Sequence, residues 1–164
     1  MKCIVADSGP LIAFGRSGLL DLLVRVAGDI LVPQTGFQEC ARDSAKPGAA
    51  ALIQAKQIGK LNIRKDRDAI HRLGSPPSLD AGETAAIALA LDQQCPLLMD
   101  ERLGRNVARL HNISVVGCAG ILLTAKERGY VAEIAPILTA WRSWGYFLSP
   151  QLIETVLRRA GERL

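Results

Sequence analysis

The sequence predicts an α/β fold in which a central parallel sheet is covered on both faces by helices. Two observations carry this. Short β-branched runs alternate with longer helical stretches along the chain, the pattern of parallel strands joined by crossover helices. The runs CIVA, DILV and PLLM are also apolar on both sides of the pleat, as strands buried on both faces are.

CIVA (3–6) reads as the first strand, and Pro10 suits the first turn of the helix after it. That helical stretch breaks near Gly15–Gly18 and resumes through 18–27. DILV (29–32) is the next strand, stopped by Pro33. Helices are expected over 35–43 and from Pro47 to Gln57, then a strand at 60–64 and a weaker helix at 68–73. GSPPS (74–78) is a loop, after which Asp80 opens a helix reaching Gln94. Strand 96–99, helix 101–110, strand 113–117 and helix 119–129 follow. Two last helices are expected at 132–144 and 150–160, the second capped by Ser149 with Pro150 in its first position.

At 164 residues with 49% apolar composition, the chain suits a single domain over 1–164 with a real core. No apolar run reaches the ~18 residues of a membrane span, and MKCIVAD lacks the long apolar region of a secretion signal. A cytoplasmic protein is expected. The cysteines Cys3, Cys40, Cys95 and Cys118 form no C-x-x-C pair, so zinc has little support and four buried free thiols are expected. His71 and His111 fall on expected helix surfaces with no neighbouring ligand, which leaves a histidine-based site without support. The net charge of +4 favours acidic partners, nucleic acid among them. Aromatic residues make up only 4%, so contacts to nucleic acid should run mainly through phosphates rather than stacked bases.

Ligands of open α/β sheets bind beyond the carboxyl ends of the strands. Asp7 follows the first strand directly, and Asp100 and Glu101 follow the strand at 96–99. Glu39 lies six residues past Pro33. Glu83 lies in the first turn of the helix opened by Asp80, and the two have the spacing of a capping box. Capping explains Asp80. It explains Glu83 less well, because TAAIALALD behind it is apolar nearly all round, and a carboxylate at the start of a buried helix needs a partner. Carboxylates converging without a base repel one another; hard divalent cations with oxygen ligands resolve that and suit phosphodiester cleavage.

Five segments in order resemble the PIN-domain superfamily: IVADSGPLIAF, VPQTGFQEC, LDAGETAAIALA, PLLMDERLGRNVA and VVGCAGILLTAKERGYV. The resemblance runs from residue 3 to about 130 and more loosely to the end. It implies a three-layer α/β/α sandwich and a Mg²⁺- or Mn²⁺-dependent endoribonuclease, often the toxin of a toxin–antitoxin pair and often a homodimer. RNA and a small antitoxin protein would be the partners. Carried over by residue, Asp7, Glu39, Glu83 and Asp100 would be the metal-binding catalytic carboxylates, with Ser8, Asp80 and Glu101 in support and Ser8 hydrogen-bonded to Asp7. Two positions depart from the pattern: Glu101 replaces a second aspartate, and Gly36–Phe37 replace the apolar residue usual before the glutamate.

Arg102, Arg105 and Arg109 share a helix face and are expected to hold RNA near the cleft, with Lys126 and Arg128 extending the basic surface. Two other acidic-site families fit poorly. A haloacid-dehalogenase-like phosphatase needs a second aspartate where Gly9 stands, and a two-component receiver domain needs a lysine after a late strand, where none follows 113–117 closely. A non-catalytic PIN-like module that binds RNA or protein remains as the alternative.

Overall fold

The computed structural model describes residues 2–66, 73, 74 and 79–163. The helix expected at 68–73, the loop expected at 74–78 and His71 lie outside these residues, apart from 73 and 74. Five strands form one sheet: β1 (Cys3–Ala6), β2 (Asp29–Pro33), β3 (Leu61–Arg64), β4 (Leu97–Leu98) and β5 (Val115–Val116). The strand order is β3-β2-β1-β4-β5 and all four pairings are parallel. From β1 the chain winds outward to β2 and β3, then returns to place β4 on the other side of β1. The order therefore reverses between β1 and β4, which is where such sheets open a crevice.

Helices α1 (Ser8–Arg16) and α2 (Leu20–Ala27) separate β1 from β2, and α3 (Gln34–Ala41) and α4 (Ala49–Gln57) lead to β3. Helix α5 (Ala81–Gln93) precedes β4, α6 (Arg102–Leu110) precedes β5, and α7 (Cys118–Glu127), α8 (Ala135–Ser143) and α9 (Pro150–Arg159) complete the chain. Alternation along the strands divides the core. Ile4, Ala6, Ile30, Val32 and Leu98 pack with α1–α4 and α7–α9, whereas Val5, Leu31, Leu97 and Met99 pack with α5 and α6. The expected layers are thus present: helices, parallel sheet, helices. The Ser149 hydroxyl accepts from the Leu152 N–H at 3.1 Å, and Pro150 opens α9 as its fixed φ permits. No helix among the described residues is long and apolar enough to cross a membrane.

The expectation of four free thiols is corrected. Cys3 and Cys95 form a disulfide, while Cys40 and Cys118 are free and buried. The reason is register. Val5 pairs with Leu97 across the β1–β4 ladder, so two residues back along both parallel strands Cys3 faces Cys95, with 6.0 Å between their Cα atoms. A sequence separation of 92 conceals a pair that strand order makes adjacent.

Candidate active site

Strand β1 delivers Asp7 to the crevice. The Asp7 N–H donates to the Leu98 carbonyl at 3.0 Å, which locks this aspartate beside the end of β4. Asp7 is 6% exposed, the one charged residue that is buried among the described residues. It opens α1 without capping it through its side chain. Burial raises its pKa from 3.8 to about 7, against the Ser8 backbone N–H, and the charges of Glu83, Asp80 and Glu39 push the same way. None of these four carboxylates is ion-paired among the described residues.

Helix α5 contributes the next wall. The Glu83 N–H donates to Asp80 Oδ1 at 2.7 Å and the Asp80 N–H donates to Glu83 Oε2 at 3.1 Å, a complete capping box. Glu83 is nevertheless half-buried, and burial followed by the charges of Asp80, Glu101 and Glu39 raises its pKa despite the Asp80 N–H. Glu39 reaches the same place from α3. Its pKa is also raised, by burial and the Asp80 charge, against the Ser8 hydroxyl. The Ser8 backbone N–H opposes the rise at Asp7, and the Ser8 hydroxyl opposes the rise at Glu39.

Gly82, which sequence reasoning passed over, makes this approach of α3 to α5 feasible. A Cβ there would stand 2.5 Å from Glu39 Oε2 and 2.9 Å from Oε1. The glycine between Asp80 and Glu83 thus keeps space for a carboxylate from another helix.

Asp100 follows β4 and is held by donors from two elements. The Cys118 N–H, in the first turn of α7, donates to Asp100 Oδ1 at 3.1 Å. The Tyr146 hydroxyl donates to Oδ2 at 2.5 Å. Gly117 keeps this contact close, since a Cβ there would lie 2.8 Å from Asp100 Oδ1. Tyr146 is itself fixed by ring contact with Trp141, centroids 5.7 Å apart. Trp141 packs edge-on against Phe14 and donates from Nε1 to the Ser17 hydroxyl at 3.1 Å. A line of aromatic contacts therefore runs from the core to Asp100. Sequence reasoning missed Tyr146. The available signal was clustering: Trp141, Trp144, Tyr146 and Phe147 are four of the chain's seven aromatic residues.

Asp7, Ser8, Asp80, Glu83, Asp100, Glu101, Arg102 and Tyr146 line one cleft of about 380 Å³, and Glu39 stands behind it against Gly82. Glu101 caps α6, accepting from the Leu103 and Gly104 N–H groups at 3.0 and 2.6 Å. Of the three arginines expected on one face, Arg102 lines the cleft. Arg105 donates to the Met99 carbonyl at 2.8 Å and faces a second hollow next to it. Arg109 is exposed a further turn away. Lys126 and Arg128 do not extend this surface. They lie at the far end of α7 from Cys118, where Lys126 pairs with Glu162 at 2.7 Å and Arg128 donates to the Val26 carbonyl at 3.5 Å.

The donors are all oxygen, and the charges of Glu39, Asp80 and Glu83 add to burial in raising the Asp7 pKa, which suits a hard divalent cation. Among the described residues, no three such side chains already stand close enough to enclose an ion. Mg²⁺ keeps several waters and needs only one or two carboxylates directly, so the set fits an ion held largely through water. Asp7, Glu39, Glu83 and Asp100 are the carboxylates that would hold it.

No curated protein matches the chain. A family model described as a PIN domain matches residues 3–162, almost the full length. With the parallel sheet, the reversal between β1 and β4 and the acidic crevice there, the match gives the fold a nuclease-type family, and the chain belongs to the PIN-domain family.

Proposed function

We propose that this protein is a Mg²⁺- or Mn²⁺-dependent endoribonuclease whose reaction centre is the acidic cleft between β1 and β4. The observation that carries the reading is Asp7: a buried carboxylate among three like charges, with no cation paired to it among the described residues, at the point where the strand order reverses. A structural role alone gives no reason to gather charge there, because burial and repulsion both oppose it. Membership of a nuclease-type family supports the same conclusion.

A divalent cation bound there would supply an activated water and stabilise the charge that develops on the scissile phosphate. The protein's own part is positioning. Asp7 and Asp100 would fix the place of the cation, and through it that of the reacting phosphate, relative to the sheet edge. Glu83 and Glu39 hold negative charge behind them, and either can accept a proton because its pKa is raised. Arg102 at the rim pairs with the neighbouring phosphate. The biological setting that the family resemblance supports is the toxin of a toxin–antitoxin pair, acting as a homodimer in the cytoplasm and restrained by a small antitoxin protein.

The alternative, a module that binds RNA without cutting it, draws on one observation: no ready-made ion cage exists among the described residues. A cleavage assay separates the two. Single-stranded RNA incubated with the protein and millimolar Mn²⁺ should be cut, and a chelator should stop the reaction. Metal-supplied, folded protein that leaves RNA intact would establish the binding-module reading instead.

A further inference from the structure

Phe147 is 90% exposed, while Phe14, Phe37 and Trp141 are buried. Its exposure is imposed by the chain around it. Gly145 takes a left-handed φ of 82°, which ends α8 and turns the chain. The Tyr146 N–H then donates to the Trp141 carbonyl at 3.0 Å and the Tyr146 side chain turns inward to Asp100. With Tyr146 anchored inward, Phe147 projects outward from a fixed segment.

It projects at a boundary. Phe147 lines the acidic cleft and also a second hollow of about 550 Å³, the size of a small-ligand site. The two share Asp100 and differ in charge. Asp7, Asp80, Glu83, Asp100 and Glu101 line the cleft against Arg102, its one cationic side chain among the described residues. The second hollow carries Arg105 and Arg159, with Asp100 its one carboxylate among the described residues, and its floor is apolar through the buried Leu123 and Val156. Arg159 is exposed, and Arg105 spends one of its five donors on the Met99 carbonyl. An aromatic face, an apolar floor and two guanidinium groups complement a nucleotide: a flat base with an anionic phosphate.

We infer that the hollow walled by Phe147, Leu152, Arg105 and Arg159 is a nucleotide subsite that takes the residue of single-stranded RNA next to the scissile phosphate, with its base stacked on Phe147 and its phosphate held by the arginines. The inference rests on the ribonuclease reading for the identity of the strand. It adds one stacked base to a contact expected to run mainly through phosphates, because one aromatic at the cleft mouth is enough to stack one base.

The test is equilibrium binding of a fluorescein-labelled single-stranded RNA, with chelator present so that nothing is cut. Phe147→Ala should bind about tenfold more weakly than wild type, within the range of losing one stacked base. Phe147→Trp should restore affinity, and Leu110→Ala, which trims another exposed apolar side chain, should change nothing. An abasic oligonucleotide of equal length should bind wild type and Phe147→Ala equally, since neither then has a base to stack. Arg159→Gln should weaken binding and flatten its salt dependence by about one charge. Equal affinity of wild type and Phe147→Ala for RNA overturns the subsite, as does a wild type with no measurable affinity. A shift in oligomeric state in Phe147→Ala with RNA affinity intact also overturns it, in favour of a second copy of the chain on this face. The cleavage assay is read separately. Cutting without any Phe147 effect leaves the ribonuclease reading standing and removes the subsite; Phe147-dependent binding without cutting does the reverse.

Discussion

Asp7 and Asp100 leave adjacent parallel strands and line one cleft, yet their surroundings differ. Asp100 accepts from the Cys118 N–H and the Tyr146 hydroxyl and is half-exposed. Asp7 is buried among Glu39, Asp80 and Glu83, and its pKa is raised to about 7. The β4 side of the cleft is a finished scaffold whose donors fix a carboxylate in place. The β1 side is under electrostatic stress that a cation would relieve. A site of this kind keeps its geometry from one wall and draws its affinity for charge from the other.

The largest effect should come from the stressed wall. Asp7→Asn keeps the shape and removes the charge, so cleavage should fall by orders of magnitude. The metal-free variant should melt several degrees higher, because holding a carboxyl near 7 instead of 3.8 costs the native state on the order of 4 kcal/mol at pH 8. The variant's melting temperature should no longer respond to Mn²⁺. A stabilised variant that still cut RNA would break the link between stress and function.

On the scaffold wall, Tyr146→Phe removes the donor to Asp100 Oδ2 and little volume. Activity or metal affinity should fall about 10- to 100-fold, the usual cost of losing such support. A titration of activity against Mn²⁺ would show the loss as a shift in the metal concentration required. Unchanged metal dependence would reduce Tyr146 to a packing residue.

Gly82→Ala sharpens the comparison further. Its Cβ would displace the far end of Glu39 rather than backbone, so stability should move by less than about 1 kcal/mol while cleavage falls several-fold. The smallest effect on chemistry should come from Cys3→Ser, at the opposite ends of β1 and β4. Thermal melts should show a loss of about 2–4 kcal/mol in stability with cleavage unchanged.

What the sequence disclosed follows from the range over which each signal acts. Strands β1 and β2 and helices α1 and α2 are set by local apolar pattern and by Pro10, Pro33 and the glycines between them, so their bounds were readable. The carboxylates were readable because strand ends and a capping box lie within a few residues of their signals. Cys3–Cys95, Tyr146–Asp100 and Gly82–Glu39 join residues that only strand order and helix packing bring together. No local pattern marks such contacts. Lys126 was misplaced for the same reason. It lies on the helix whose first residue touches Asp100, but eight residues on, about 12 Å along the axis.

The charge state of Asp7 decides whether the β1 wall is poised for a cation, and a carboxyl ¹³C NMR titration reads it directly. The native state holds a proton on Asp7 up to about pH 7, whereas the unfolded chain releases it near 3.8, so metal-free stability should decline as pH rises between those values. Without divalent ion, the Asp7 resonance should titrate with a midpoint near 7. With saturating Mg²⁺, the midpoint should fall below the ordinary aspartate range, because the cation favours the charged form. A midpoint near 4 that Mg²⁺ leaves unmoved would contradict this: Asp7 would then be neither strained by burial and neighbouring charge nor a ligand.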